Sequence, residues 1–120
     1  MDEMNKRLKM NSREKNILAG TPLMAALGKP ALQHMTEIAT VFHFEARDIL
    51  AREGDPAEYF YCVLTGYVRL FRLSRDGREA DIRICGPGET FGECLLYLGP
   101  AYRYHIQAAE TVTVARSELS

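Results

Sequence analysis

Apolar residues recur with two different periods along this chain, and the change comes near residue 40. Before it, the spacing is helical. Asn11 followed by Glu14 has the form of an N-cap with a carboxylate at the third helical position, so a helix is predicted from there to Gly20. Thr21-Pro22 restarts one, because proline suits the first helical position after a hydroxyl cap. Leu23, Met24 and Leu27 give it an apolar side, and Gly28 stops it. Pro30 opens a longer helix whose Leu32, Met35, Ile38, Ala39 and Phe42 fall three to four apart. Residues 12–40 are therefore expected to be helical and to pack by one face onto the rest.

After residue 40 the pattern becomes that of strands and turns. Val41 to Leu50 mixes β-branched, aromatic and charged residues, and Gly54-Asp55-Pro56 signals a turn. Strands are predicted at Tyr59–Leu64 and at Tyr67–Leu73, separated by Gly66. Ser74-Arg75-Asp76-Gly77 reads as a hairpin, with Asp-Gly the usual type I′ pair. In the return strand Glu79–Cys85, Ala80, Ile82 and Ile84 alternate with Asp81 and Arg83. Gly86-Pro87-Gly88 turns again, and Tyr104–Ala108 and Thr111–Ala115 are the last strands. Short strands broken by frequent turns point to an antiparallel sandwich or barrel.

Composition narrows this picture. One domain fits 120 residues. A net charge of −1 gives the domain no general attraction for nucleic acid. Cys62, Cys85 and Cys94 are odd in number and irregular in spacing, which fits free thiols in a reducing cytoplasm better than a disulfide frame or a CxxC metal pair. The polar start is no signal peptide, and no apolar run nears the roughly 20 residues that span a bilayer. Residues 1–11 are expected to be a flexible segment or loose helix. The chain stops at Ser120, just after a strand, which suggests a piece of a longer protein.

The densest chemistry lies in Phe91–Tyr104, "FGECLLYLGPAYRY". If Gly92 turns a strand into a short helix, the first amides of that helix form an anion site. Glu93 in its first turn would accept hydrogen bonds from vicinal sugar hydroxyls. Cys94 to Leu98 would plug the helix into the barrel, and Gly99-Pro100 would end it. Arg103 would then grip a phosphate. Each part is weak alone, and an arginine before a strand is as readily a solvated rim charge.

The order of these parts resembles the cyclic nucleotide-binding domain of the cyclic-AMP receptor protein and fumarate–nitrate regulator (CRP/FNR) family. The likeness runs over roughly residues 17–116 and rests on "LAGTPLMAAL", "DILAREGDPAEYFYCVLTGYVRLFRLSRDGRE" and "ICGPGETFGE". It implies a mainly β fold. This is an antiparallel jelly roll (double-stranded β-helix) with N-terminal helices and a short helix in the phosphate-cassette position. It implies a sensor domain over 12–120, with a dimerisation helix and a helix-turn-helix absent from this chain. Gly92 matches the glycine facing the cyclic phosphate, Glu93 the ribose carboxylate and Arg103 the phosphate arginine, with Cys94 and Tyr104 completing the ligand-binding set. Three positions depart from the pattern: Leu95 replaces a glycine, Tyr104 a small hydroxyl residue and His105 an alanine, and the loop is one residue shorter.

The function implied is a cytoplasmic ligand sensor that controls DNA binding allosterically. The candidate ligand is a small-molecule effector, cyclic AMP or cyclic GMP. DNA would be met only through the absent domain, in a full-length homodimer, without a membrane partner. The alternatives are a regulatory module of a channel or kinase, a stand-alone module, or a haem-based gas sensor. For haem, His105 and Cys94 are the candidates, while His34 and His43 read as solvated and rim residues. Iron–sulfur ligation lacks its cysteines. An enzyme of the cupin type lacks a clustered set of histidines. Neither catalytic nor metal-binding residues are assigned.

Overall fold

The structure is a computed structural model that describes residues 6–7, 9–91 and 101–118. Three helices come first: α1 (Ser12–Ala19), α2 (Pro22–Leu27) and α3 (Lys29–Ile38). Among the described residues the strands are β1 (Lys6–Arg7), β2 (Thr40–Phe44), β3 (Ile49–Ala51), β4 (Tyr59–Thr65), β5 (Val68–Leu73), β6 (Glu79–Cys85), β7 (Thr90–Phe91), β8 (His105–Ala108) and β9 (Val112–Glu118). They form two antiparallel sheets, one in the order β1-β2-β9-β4-β7 and the other β3-β8-β5-β6.

The helices start where the sequence places them. Asn11 and Glu14 form a reciprocal capping box: the Glu14 N–H donates to Asn11 Oδ1 at 2.9 Å, and the Asn11 N–H donates to Glu14 Oε1 at 3.0 Å. The Met24 N–H donates to Thr21 Oγ1 at 3.2 Å, capping α2. Phe42, expected to continue the apolar series of the third helix, lies instead in β2. Lys6 and Arg7 pair with Phe42 and Val41 of β2, where a frayed segment or loose helix was expected.

Two apolar cores result, one on each face of the five-stranded sheet. Between the sheets lie Phe42, Tyr61, Val63, Leu70, Phe91, Ile106 and Val114, among others. Between the helices and the outer face lie Leu18, Met24, Met35, Val41, Cys62, Leu64 and Ala115. Strand alternation makes this sorting automatic: Tyr61 and Val63 point one way, Cys62 and Leu64 the other. Three neighbouring aromatics accordingly divide, Tyr59 and Tyr61 inward and Phe60 toward the helices.

Two local expectations are corrected. In the β5–β6 hairpin only Gly77 has positive φ, +83°, so Asp76-Gly77 is no type I′ pair. The Gly77 N–H donates to the Ser74 carbonyl at 3.0 Å, a four-residue turn closed by a left-handed glycine. The apolar alternation of β6 also buries nothing, since Ile82 and Ile84 are 51% and 47% exposed. β6 is an edge strand, and its pairing sets Cys85 opposite core Val68 but Ile84 opposite outward Arg69 and Ala80 opposite exposed Arg72, so the apolar series faces away from the core.

Gly66 joins β4 to β5 at φ +80°, and a Cβ there would run into the Thr111 carbonyl and lie 3.0 Å from Val112 Cα. Gly77 shares the positive φ but has open space around it. Gly66→Ala is therefore expected to cost at least about 3 kcal/mol and Gly77→Ala only about 1 kcal/mol in urea unfolding. Equal costs would show that the close approach at Thr111 does not constrain the fold.

Candidate functional site

The sequence-predicted site falls on both sides of a boundary. Gly92, Glu93, Cys94 and Leu95, with the short helix expected there, lie outside the described residues. Arg103 and Tyr104 lie inside them. Arg103 is exposed, and its carbonyl accepts a hydrogen bond from Arg72 Nε at 2.8 Å. Tyr104 is half-buried and packs against the core between the sheets. Because Ile106 faces that core, residue 104 shares its face and residue 105 takes the opposite one. So the tyrosine ring stands on the interior side, where the family pattern has a small hydroxyl residue.

His105 faces outward. Its ring lies 5.1 Å from that of Phe71, and its Nδ1 accepts the Glu53 N–H at 3.2 Å. The Arg69 guanidinium covers the same Phe71 ring at 4.1 Å while pairing with Glu79 and Asp81. A histidine built into this outer layer is no ligand for a group inside the barrel. His34 is exposed, and exposed His43 shares a 2.8 Å hydrogen bond with Thr113 Oγ1. Cys62 and Cys85 are buried and form no disulfide. Among the described residues no group of His, Cys, Asp or Glu could hold a metal ion, and no helix is long and apolar enough to cross a membrane.

The Glu53-Gly54-Asp55 stretch acquires a physical role. The Gly54 N–H donates to the Tyr102 carbonyl at 2.8 Å, and the Tyr102 N–H donates to the Asp55 carbonyl at 2.9 Å. Pro56 and Ala101 form a bridge, and Asp55 Oδ2 accepts the Arg52 N–H at 2.9 Å, fixing the turn. With the Glu53–His105 bond, this loop clamps the chain just before β8. On the other side, the Gly88 N–H and Val63 carbonyl bond at 2.8 Å, and the Val63 N–H and Glu89 carbonyl bond at 2.9 Å. The Glu89 carboxylate caps this turn through the Gly86 N–H at 2.8 Å. The chain is thus pinned at both edges of the cassette position.

The barrel interior beside the clamp is aromatic and polar at once. Tyr61 stacks on Phe91 with centroids 4.9 Å apart. Tyr102 is buried, and its hydroxyl donates to the Tyr59 carbonyl at 2.9 Å. Arg116, half-buried on β9, lies between two rings, 4.1 Å from the Phe42 centroid and 3.9 Å from that of Tyr59. Burial pushes the phenol pKa of Tyr61 up, against the opposing charge of Arg116. Burial also raises that of Tyr102, reinforced by Tyr61. Sequence reading missed Arg116 because it ended the last strand at Ala115. Carrying the alternation Val112, Val114 two residues further would have turned Arg116 inward.

The cyclic nucleotide-binding domain family matches residues 41–119. The chain belongs to that family. It is 29% identical over 101 residues to a CRP-like cAMP-activated global transcriptional regulator of Mycobacterium tuberculosis, covering 84% of this chain and 44% of the relative. The chain thus spans less than half the length of that regulator. The N-terminal domain of a transcriptional regulator from Streptomyces coelicolor superposes with a TM-score of 0.76 at 30% identity, over 85% of this chain and 73% of that one. The regulatory domain of Toxoplasma gondii PKA, crystallised with cAMP, superposes with a TM-score of 0.81 at 24% identity, over 92% and 43%. This last likeness shows the fold alone. The jelly roll and the kinship with CRP/FNR regulators are thereby shown.

The raised phenols of this cyclic nucleotide-binding domain have a measurable consequence. A phenol whose folded pKa lies above its unfolded value contributes stability that is full below about pH 10 and is lost as pH rises through the folded value. In a phenolate absorbance titration, Tyr61 and Tyr102 are expected to ionise late, together with unfolding. Tyr102→Phe should remove one late phenol and cost about 1–2 kcal/mol, through the Tyr59 carbonyl it leaves unpaired. A titration in which all phenols ionise together would contradict the burial of this pair.

Proposed function

We propose that this chain is the ligand-sensing module of a CRP/FNR-type transcription regulator. A small-molecule effector, cyclic AMP or cyclic GMP, binds in the barrel. Binding shifts the cassette segment and the chain that follows β9. In the full protein, a cytoplasmic homodimer, that shift changes DNA binding by a helix-turn-helix in another domain. The module itself is regulatory rather than enzymatic. The observation that carries this reading is the similarity to a cAMP-activated regulator over 84% of the chain. The clamp at residues 52–56 supports it, because it ties the exit of the cassette position to β8, so movement there is felt by the sheet.

A kinase module has a weaker sequence likeness in its favour, 27% identity over 65% of this chain to a cGMP-dependent protein kinase of Drosophila melanogaster. The haem variant loses its histidine candidate, since His105 belongs to the outer layer. Calorimetric titration of the chain with cyclic AMP and with cyclic GMP tests the ligand class. Saturable heat with at least one is expected, without a Soret band in the absorbance of the purified protein. No heat with either nucleotide would overturn the ligand assignment. The regulator assignment is tested separately by the coding sequence around this chain. A helix-turn-helix segment C-terminal to it is expected, and a kinase or channel segment there would contradict the reading.

A further inference from the structure

Arg116 occupies an unusual position for an arginine. β9 lies between β2 and β4, so its backbone is paired on both sides, to Thr40 and to Tyr61. Its face companions Val112 and Val114 are fully buried between the sheets. Removing a guanidinium even partly from water at such a place is costly. Two aromatic faces offset part of that cost, since stacking on a ring favours a desolvated cation. Among the described residues, no carboxylate lies within ion-pair distance of it.

The Arg116 guanidinium carbon lies about 4 Å from both ring centroids, and its N–H groups, which also hydrogen-bond the Tyr61 side chain, form the edge turned away from the rings. That edge is a fork that matches two oxygens of one anion. The rings also hold it in one orientation, which lowers the ordering cost when an anion arrives. Arg103 is placed differently: its side chain is exposed, and inward Tyr104 packs beside it. Of the two arginines, Arg116 is the one directed into the barrel.

We infer that Arg116 receives the oxyanion of an effector seated in the barrel, with Phe42 and Tyr59 as its supports and Tyr61 beside it. The inference rests on the ligand-sensing reading above and deepens it. It assigns the ligand's negative charge to β9 rather than to Arg103 alone. It also explains how a chain with tyrosine at position 104 can still hold an anion.

The test reads the Arg116 Nε–Hε resonance of the chain by NMR. Inorganic phosphate, acetate and cyclic AMP are added in turn at constant ionic strength set with chloride. A saturable shift with phosphate or cyclic AMP is expected, and it should persist in Arg103→Ala. A shift with acetate as well would assign a carboxylate-bearing effector to the same fork. Arg116→Met, which keeps an apolar chain between the rings, should stay folded and lose at least about tenfold in affinity for whichever anion shifts Arg116. An Arg116 resonance that answers none of the three anions would overturn the inference, as would an Arg116→Met variant that binds as wild type does. The two readings fail separately. Cyclic AMP shifting the amides of Leu70 and Ile106 without Arg116 would sink only this inference. Phosphate shifting Arg116 while no cyclic nucleotide binds would sink only the cyclic-nucleotide assignment.

Discussion

The structure depends on one strand being buried on both faces. β9 lies between β2 and β4, and its side chains alternate between two cores. Val112 and Val114 join the layer between the sheets, and Ala115 joins the layer under the helices. A strand so placed cannot slip by one residue, because a slip would exchange its two faces and ruin both layers at once. That fixed register is what carries Arg116 inward. The same constraint reaches the β4–β5 turn, where Gly66 packs against the carbonyl of Thr111 just before β9 begins.

The interior shaped by this strand is not a plain apolar core. It is rich in aromatic rings with polar ends, some of them bonded to backbone as Tyr102 is to the Tyr59 carbonyl. Such residues offer flat surfaces for a base or sugar. The outer face of the other sheet is different in kind. There Arg69, Glu79, Asp81, Phe71 and His105 form a closed layer of ion pairs and ring contacts. The outer layer is already satisfied by its own partners, and the ligand site proposed above is the interior.

Much of this was legible in the sequence where local chemistry decides it. Asn11–Glu14 and Thr21-Pro22 cap helices through their own side chains and neighbours, so short-range reading located them. The strand positions followed from alternation and glycine breaks. What failed depends on distant partners. The pattern in β6 promised a buried face, but pairing with β5 sets Ile84 opposite outward Arg69, so the apolar series faces away from the core. The Asp76-Gly77 pair suggested one turn type, while the four-residue loop selected another. The clamp from Glu53 to Pro56 was visible only as a turn, because its bonds reach Tyr102 and His105, about fifty residues away in the chain.

The central claim is that ligand enters the space between the sheets and not the basic hairpin or the outer layer. Intermolecular NOEs between bound cyclic AMP and methyl groups measure this directly. The account predicts contacts from the ribose and base protons to Leu70, Ile106 and Val114. Contacts confined to Leu73, Ile82 and Ile84, or no contact with any of the interior methyls, would contradict it.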